Sequence, residues 1–193
     1  MARALALALF PLLASLAFAQ VSCDAQEVVF DFSSPGPLTV QGGYPVANLA
    51  GYLHIFDTGP SLFLPTRVVG GVGYRVQCTV TTGKKGGKGT ACGADQTYCF
   101  RIESLSQAPS FPLDPYTRLY AMVQTVSGAG VTVHVPSPTP LASIPDRMGL
   151  ASVPRNTTAI LDIYLFLYLS PEDTFATLPT SGWITVTYRL DRD

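Results

Sequence analysis

The side chains that could take part in chemistry are few, and their spacing fits few reactions. The chain has 193 residues and two histidines, His54 and His134. Both lie in runs that alternate between apolar and polar residues, which favours a structural role over that of a catalytic base. The glutamates Glu27, Glu103 and Glu172 fall in separate segments, so the sequence identifies no carboxylate pair for glycoside hydrolysis. Because no nucleophile elbow, zinc-protease motif or acidic calcium loop is present, we expect no catalytic activity.

The first 19 residues have the composition of a secretory leader. A basic start at Arg3 is followed by an apolar run and by Ala17-Phe18-Ala19, a small-x-small cleavage site. Cleavage after Ala19 would release one domain, residues 20–193, to the periplasm or the cell surface. The apolar run is shorter than the roughly 20 residues of a membrane helix, so we expect no membrane span. Lipidation at Cys23 is disfavoured, because Gln20 stands where such sites carry an aliphatic residue.

The four cysteines favour disulfides over a metal site. An even number in an exported chain favours two bonds between Cys23, Cys78, Cys92 and Cys99. Six residues separate Cys92 from Cys99, a spacing that suits a local loop and leaves Cys23 for Cys78. The sequence alone leaves the other two connectivities open. A zinc site would need a C-x2-C pair or a nearby histidine, so we expect neither a metal nor a cofactor.

The charge balance argues against a polyanionic partner. Without the leader, 11 of the 12 basic residues remain against 13 acidic ones, and we expect no nucleic-acid partner. All three lysines, Lys84, Lys85 and Lys88, lie in one glycine-rich stretch. Gly89 stands where a phosphate-binding loop needs Ser or Thr. The stretch therefore indicates a charged loop between strands, with anion binding or a surface contact as the alternative.

An apolar period of two runs through nearly all of the chain after the leader and predicts an all-β protein. The clearest strands are predicted at 74–81, 131–135, 160–169 and 183–190, with shorter candidates at 28–32, 52–56, 100–105 and 119–126. Proline-rich connections join them, and no linker is long enough to divide the chain. These features predict a single immunoglobulin-like antiparallel β-sandwich of about seven to ten strands. A glycosylation sequon begins at Asn156.

The segment 160–169 is apolar on both of its predicted faces. Tyr164, Phe166 and Tyr168 lie on one face, and the other face is formed by Leu161, Ile163, Leu165, Leu167 and Leu169. Such a strand must be covered on both sides. One interpretation is a central strand whose outer face lies under the proline-rich loops. The other is an assembly or ligand surface built on the three aromatic residues.

The two ends of the chain resemble a known family. An early cysteine, a second cysteine in a strand tens of residues later, and a last strand with the sequence Ser-Gly-Trp-Ile-Thr-Val-Thr-Tyr at 181–188 are similar to the pilin-type domains of chaperone–usher systems. Among these domains, the chain especially resembles the spore coat protein U-like secreted pilus subunits. Residues 83–158 have no counterpart in this resemblance.

This resemblance implies an immunoglobulin-type sandwich that lacks one strand, which a neighbouring subunit donates. Cys23 and Cys78 would then be the early cysteine pair, and the strand at 160–169 would line the acceptor groove. Only three residues precede Cys23 after the leader. The donor strand would therefore be formed by Val28, Phe30 and Phe32, unless the subunit only receives a strand or the sandwich is complete by itself. The partners would be the protein itself, other surface subunits and a periplasmic chaperone.

Two functions from different classes follow from these patterns. The first is an exported structural or adhesive cell-surface subunit, which would form a pilus or filament by β-strand complementation. The second is a secreted non-catalytic binding module for a small ligand or sugar, built on Tyr164, Phe166 and Tyr168. The residues that we predict for the assembly or binding surface are Tyr164, Phe166, Tyr168, Trp183, Ile184, Val186 and Tyr188.

Overall fold

The protein is an all-β sandwich of two antiparallel sheets, in agreement with the apolar period of two. The computed structural model describes residues 19–31, 38–40, 44–46, 61–84, 92, 97–170, 173 and 182–192. Predictions for the leader before residue 19, for the strand at 52–56, and for His54, Lys85, Lys88 and Glu172 lie outside these residues.

The larger sheet, sheet A, contains the strands β1 (Gln20–Cys23), β3 (Leu38–Val40), β4 (Tyr44–Val46), β5 (Ser61–Phe63), β7 (Arg75–Thr81), β9 (Leu119–Ser127), β11 (Thr139–Pro140) and β13 (Thr158–Leu169). It is built around the long strand β13: β7 and β5 lie one after the other along one side of β13, and β9 lies along the other side. Strand β1 extends the sheet from β7, β11 extends it from β9, and β3 and β4 extend it from β5.

The smaller sheet, sheet B, contains the strands β2 (Glu27–Phe30), β6 (Arg67–Val69), β8 (Thr97–Gln107), β10 (Thr132–Val133), β12 (Gly149–Pro154) and β14 (Gly182–Asp191). Their spatial order is β10-β12-β8-β14-β2-β6. The two longest strands, β8 and β14, lie side by side at the centre of the sheet, and their inner faces cover the core from the side opposite to sheet A.

Helical structure among the described residues is short and belongs to connections. Helix α1 (Pro115–Arg118) begins where the Asp114 side chain accepts from the Tyr116 amide, with proline in the first turn, where a missing N–H costs nothing. Helix α2 (Pro145–Met148) also begins with proline and follows a 3-10 turn at Leu141–Ser143. Among the described residues, no helix is long and apolar enough to cross a membrane.

The order of the strands differs from the predicted immunoglobulin order. From β7 to β14, each strand lies in the sheet opposite to the strand before it. In an immunoglobulin domain several consecutive strands share a sheet. Here the order β7-β13-β9-β11 in sheet A faces the order β8-β12-β10 in sheet B. Alternation along a sequence identifies the two faces of a strand but not its neighbours, which is why the sandwich was predictable and its connectivity was not.

The core lies between the inner faces of the two sheets. The odd-numbered residues of β13 from Leu161 to Leu169 are at most 1% exposed. Facing side chains from sheet B, including Phe30, Phe100 and Ile102, are fully buried. A sandwich of this size buries enough apolar surface to be stable without a cofactor.

Both disulfides have the pairing that the spacing favoured. Cys23 is bonded to Cys78, its direct neighbour across the β1–β7 ladder, and Cys92 is bonded to Cys99. The first bond fixes the start of the domain to sheet A.

The structure contains more strands than the seven to ten predicted, because several of them are two to four residues long. Fourteen strands are formed by the described residues. The predicted strand at 131–135 contracts to Thr132–Val133, whereas those at 74–81, 160–169 and 183–190 agree with β7, β13 and β14 within about two residues. Strand β12 was not predicted, because almost all of its residues are buried and apolar and polar residues therefore do not alternate along it.

Candidate functional site

The outer face of sheet A carries the three aromatic residues that sequence alternation assigned to one side of β13. Tyr164, Phe166 and Tyr168 point away from the core, opposite to the buried leucines. Neighbours from β9 extend this face, because Tyr164 lies opposite Met122 and Phe166 opposite Tyr120. The result is an apolar strip across two strands. Its β9 half could not be predicted, because the sequence does not show which strand pairs with β13.

Two of the three aromatic rings are already engaged within the protein. Phe166 is only 3% exposed. Tyr168 stacks on Tyr120 with ring centroids 5.6 Å apart, and the Arg118 guanidinium lies 6.0 Å from the Tyr168 ring centroid. Tyr164, which is half-buried, is therefore the most available ring of the predicted set on this sheet.

An ion pair fixes the end of this aromatic strip. Two nitrogens of Arg118 donate to the Asp173 carboxylate, at 2.8 and 3.0 Å. The same carboxylate accepts from the amide of Ser170, at 2.7 Å. Asp173 thus accepts from the turn that follows β13 and also makes a two-point contact to Arg118, which the sequence did not reveal.

A polar group borders the strip on the side of β7. Arg75 lies directly opposite Tyr164, and its Nε is 3.2 Å from Asp162 Oδ2. The amide nitrogen of Gln77 donates to the other Asp162 oxygen at 2.9 Å. Arg75 Nη1 is buried and has no acceptor among the described residues. This face therefore combines an aromatic ring with an arginine whose charge Asp162 balances.

The predicted assembly surface does not form one patch. Trp183, Ile184, Val186 and Tyr188 lie on β14 in sheet B, on the opposite sheet from the β13 aromatics. Ile184 and Val186 are fully buried in the core, and Tyr188 packs against it. These three residues alternate with Trp183, so only the tryptophan faces outward. Grouping the whole strand as a surface was wrong, because one of its two faces had to cover the core.

Trp183 is the exposed aromatic side chain of sheet B. It is 39% exposed and lies opposite Val29, which in turn lies opposite Arg67 on β6. Val69, two residues along the same strand, is 42% exposed. We call this patch of Trp183, Val29, Val69 and Arg67 the tryptophan face. It is apolar at its centre and borders the outermost strand of the sheet.

Tyr188 has its hydroxyl group buried and without a hydrogen-bond partner among the described residues. Its ring stacks on Phe100 with centroids 5.7 Å apart. Burial, with a smaller contribution from the negative charge of Asp24, raises the pKa of Tyr188 above its ordinary value. The residue is thus a neutral core side chain and not a surface contact.

The predicted donor strand is already paired within its own chain. Strand β2 lies between β14 and β6, and both Val28 and Phe30 are core residues at 1% and 0% exposure. Phe32 lies outside the described residues. Donation of this strand to a neighbour would require both of its ladders to separate, only a few residues after the Cys23–Cys78 bond.

A serine and a histidine meet on the outer face of sheet B, but their hydrogen bonds do not activate the serine. His134 Nε2 is 2.8 Å from Ser152 Oγ, and Ser152 Oγ donates to the Cys92 carbonyl at 2.7 Å. Because the hydroxyl has a single proton, the histidine must be the donor in its contact with Ser152. The pair connects strands and the disulfide loop, as expected for a structural histidine. No cluster of three metal-ligating side chains occurs in the part of the chain that is described.

Comparison with protein-family models, with curated proteins and with solved structures found no match.

Proposed function

We propose that the protein is an exported structural or adhesive cell-surface subunit that associates with further copies of itself through the tryptophan face. The observation that carries this proposal is the 39% exposure of Trp183 on a face of sheet B that also carries the 42% exposed Val69, two strands away. Tryptophan is enriched among the residues that dominate binding energy at protein interfaces. A sheet face with an exposed tryptophan and a second exposed apolar side chain is a suitable contact for a second molecule.

The contact is proposed to use side chains and not a donated strand. Strand β2 is paired on both sides, and the Cys23–Cys78 bond holds the chain just before it. The outermost strands among the described residues have only two to four residues, and β4 and β11 contain proline. Short strands and proline at sheet edges oppose strand addition. Face-to-face contact around Trp183 needs no free edge.

We propose that the protein is secreted, because two of its features suit export. The leader-like residues 1–19 would direct export, and both disulfides suit an oxidising compartment. No cofactor is needed for the proposed role.

Light scattering after size-exclusion chromatography would test the association. The protein would be recovered in its oxidised form from the periplasm or medium of expressing cells, and its mass measured over a concentration series. We expect oligomers that grow with concentration, and a shift of Trp183→Ala towards the monomer.

Val126→Ala is the matched control, because Val126 is 54% exposed but lies on β9 in sheet A. It should associate like the unaltered protein. A protein that remains monomeric at every concentration, or oligomers that both substitutions affect equally, would contradict the proposed role of the tryptophan face.

A second candidate function is a non-catalytic binding module on the outer face of sheet A. The specific observation in its favour is the half-buried ring of Tyr164, which lies directly opposite Arg75, an arginine whose charge Asp162 balances. The two functions use opposite sheets, so an adhesive subunit can combine them.

A further inference from the structure

Two residues of opposite charge lie close together at the tryptophan face. Arg67, which belongs to that face, is exposed on β6, and Glu27 is half-buried on the neighbouring strand β2. Val29 lies opposite Arg67 and Glu27 lies opposite Val69, so the two charged residues occupy diagonal positions on one side of the sheet. Neither takes part in an ion pair with another described residue. Both charges are therefore available to a second molecule.

The other charged residues in the described strands of sheet B are paired within the chain. Arg101 and Arg189 both contact the Asp191 carboxylate. Arg189 Nη1 also lies 3.0 Å from Glu103 Oε1. The two unpaired charges of these strands thus lie beside the exposed apolar side chains and not elsewhere on the sheet. Apolar contacts bordered by charges of both signs are typical of a surface that meets a partner of complementary charge.

The indole of Trp183 stands beside residues with short side chains. Thr185 is two residues further along β14 on the same face, and Ser106 lies directly opposite Thr185 on β8. The tryptophan is 39% exposed, and neither neighbour is long enough to cover it. A large ring next to short side chains can pack over the corresponding short side chains of a second molecule with the same surface.

The positions of the two charges allow this face to pair with a copy of itself. In a two-fold contact, each residue meets its counterpart's partner, and the reverse contact forms as well. A two-fold axis that lies in the interface and crosses the diagonal between Arg67 and Glu27 brings each charge to the opposite charge of the second copy. Trp183 lies two strands from Arg67 and diagonally one strand from Glu27. It is therefore nearly equidistant from both residues and close to this axis, so the two tryptophans meet.

We infer that the protein forms a two-fold dimer in which Arg67 of each copy pairs with Glu27 of the other, around the two Trp183 side chains. The inference rests on the association proposed above and adds its symmetry and its charge contacts. Because a two-fold contact uses the same surface on both copies, association through this face ends at the dimer. The ion pairs fix the register of the two sheets.

Reversal of the two charges, followed by mixing, tests this arrangement. Arg67→Glu places two acidic residues at the face, and Glu27→Arg places two basic ones there. Each variant alone should have a dimer dissociation constant raised about tenfold or more, because the symmetry repeats every like-charge contact. An equimolar mixture should recover dimers, since the heterodimer contains both pairs of opposite charge. Light scattering after size-exclusion chromatography measures the mass in each case.

Arg155→Glu is the matched control, because it reverses an exposed arginine between β12 and β13, outside the tryptophan face. It should dimerise like the unaltered protein. Thermal melting would be recorded for each variant, and recovery on mixing itself establishes that both charge variants are folded.

The results separate this inference from the association on which it rests. If Trp183→Ala shifts the protein towards the monomer but both charge variants dimerise normally, or their mixture stays monomeric, the two-fold pairing is overturned and association through the face stands. Oligomers larger than a dimer that Trp183→Ala reduces to monomers would also overturn it. An unaltered protein that is monomeric at every concentration would contradict the association itself.

Discussion

The two arginines that approach Asp191 should differ strongly in their contribution to stability. Arg101 and Asp191 are buried, with side chains 11% and 8% exposed, and their Nε and Oδ2 atoms form an ion pair. Arg189 contacts the same carboxylate but has 52% of its side chain exposed. Removal of one partner from a buried pair leaves an uncompensated charge, which costs about 3–5 kcal/mol, whereas an exposed pair is screened by water.

We therefore expect Arg101→Ala to lower the free energy of unfolding by about 3–5 kcal/mol in urea denaturation. Arg189→Ala should leave the denaturation midpoint nearly unchanged. Because both arginines share Asp191, similar losses for the two variants would argue against burial as the deciding factor.

The buried hydroxyl of Tyr188 should make the protein sensitive to alkali. Its pKa is raised in the folded chain, chiefly by burial. Above the unfolded pKa of about 10, the unfolded chain loses the phenol proton while the folded chain keeps it. The free energy of unfolding should thus fall as the pH rises above about 10.

Tyr188→Phe removes both the titrating group and a hydroxyl that has no hydrogen-bond partner among the described residues. Urea denaturation between neutral pH and pH 11 should show a smaller alkaline loss for this variant, with stability at neutral pH equal to or above that of the unaltered protein. Tyr116→Phe, at an exposed position, serves as the control. An identical alkaline loss in Tyr188→Phe and the unaltered protein would be inconsistent with this account.

At the scale of elements, the two disulfides enclose very different lengths of chain. Cys23 and Cys78 are 55 residues apart and join β1 to β7, whereas Cys92 and Cys99 are seven apart. By the loop-entropy relation, the long loop contributes about 4 kcal/mol and the short one about 2 kcal/mol. Replacing each pair with alanines should therefore destabilise the protein more for Cys23 and Cys78, as measured by chemical denaturation. The reverse order would indicate that the folded-state environment of the 92–99 loop outweighs chain entropy.

The elements also mark the limit of what the sequence could predict. Alternation is a local property, so β7, β13 and β14 and the two faces of β13 were predictable from it. The stacking of Tyr120 on Tyr168 was not, because it depends on which strand lies beside β13. For the same reason the pattern could not predict the order of the strands in each sheet, or tell which face of β14 covers the core. Ile184 and Val186 were consequently assigned to a surface.

For the molecule as a whole, the two outer faces have separate proposed roles. Sheet B carries the tryptophan face, with Trp183 and Val69 exposed. Sheet A carries the polar and aromatic rows around Arg75 and Tyr164. Opposite faces allow a subunit to contact its own copies and a second molecule at the same time, which suits the proposed adhesive role.

The fluorescence of Trp183 offers the most direct measurement of the central claim, since it is the single tryptophan of the chain. The experiment follows its emission maximum and its quenching by acrylamide as the oxidised protein is concentrated. If Trp183 becomes buried on association, the emission moves to shorter wavelength and quenching weakens, in step with the mass from light scattering. Emission and quenching that stay constant while the mass increases would contradict association through the tryptophan face.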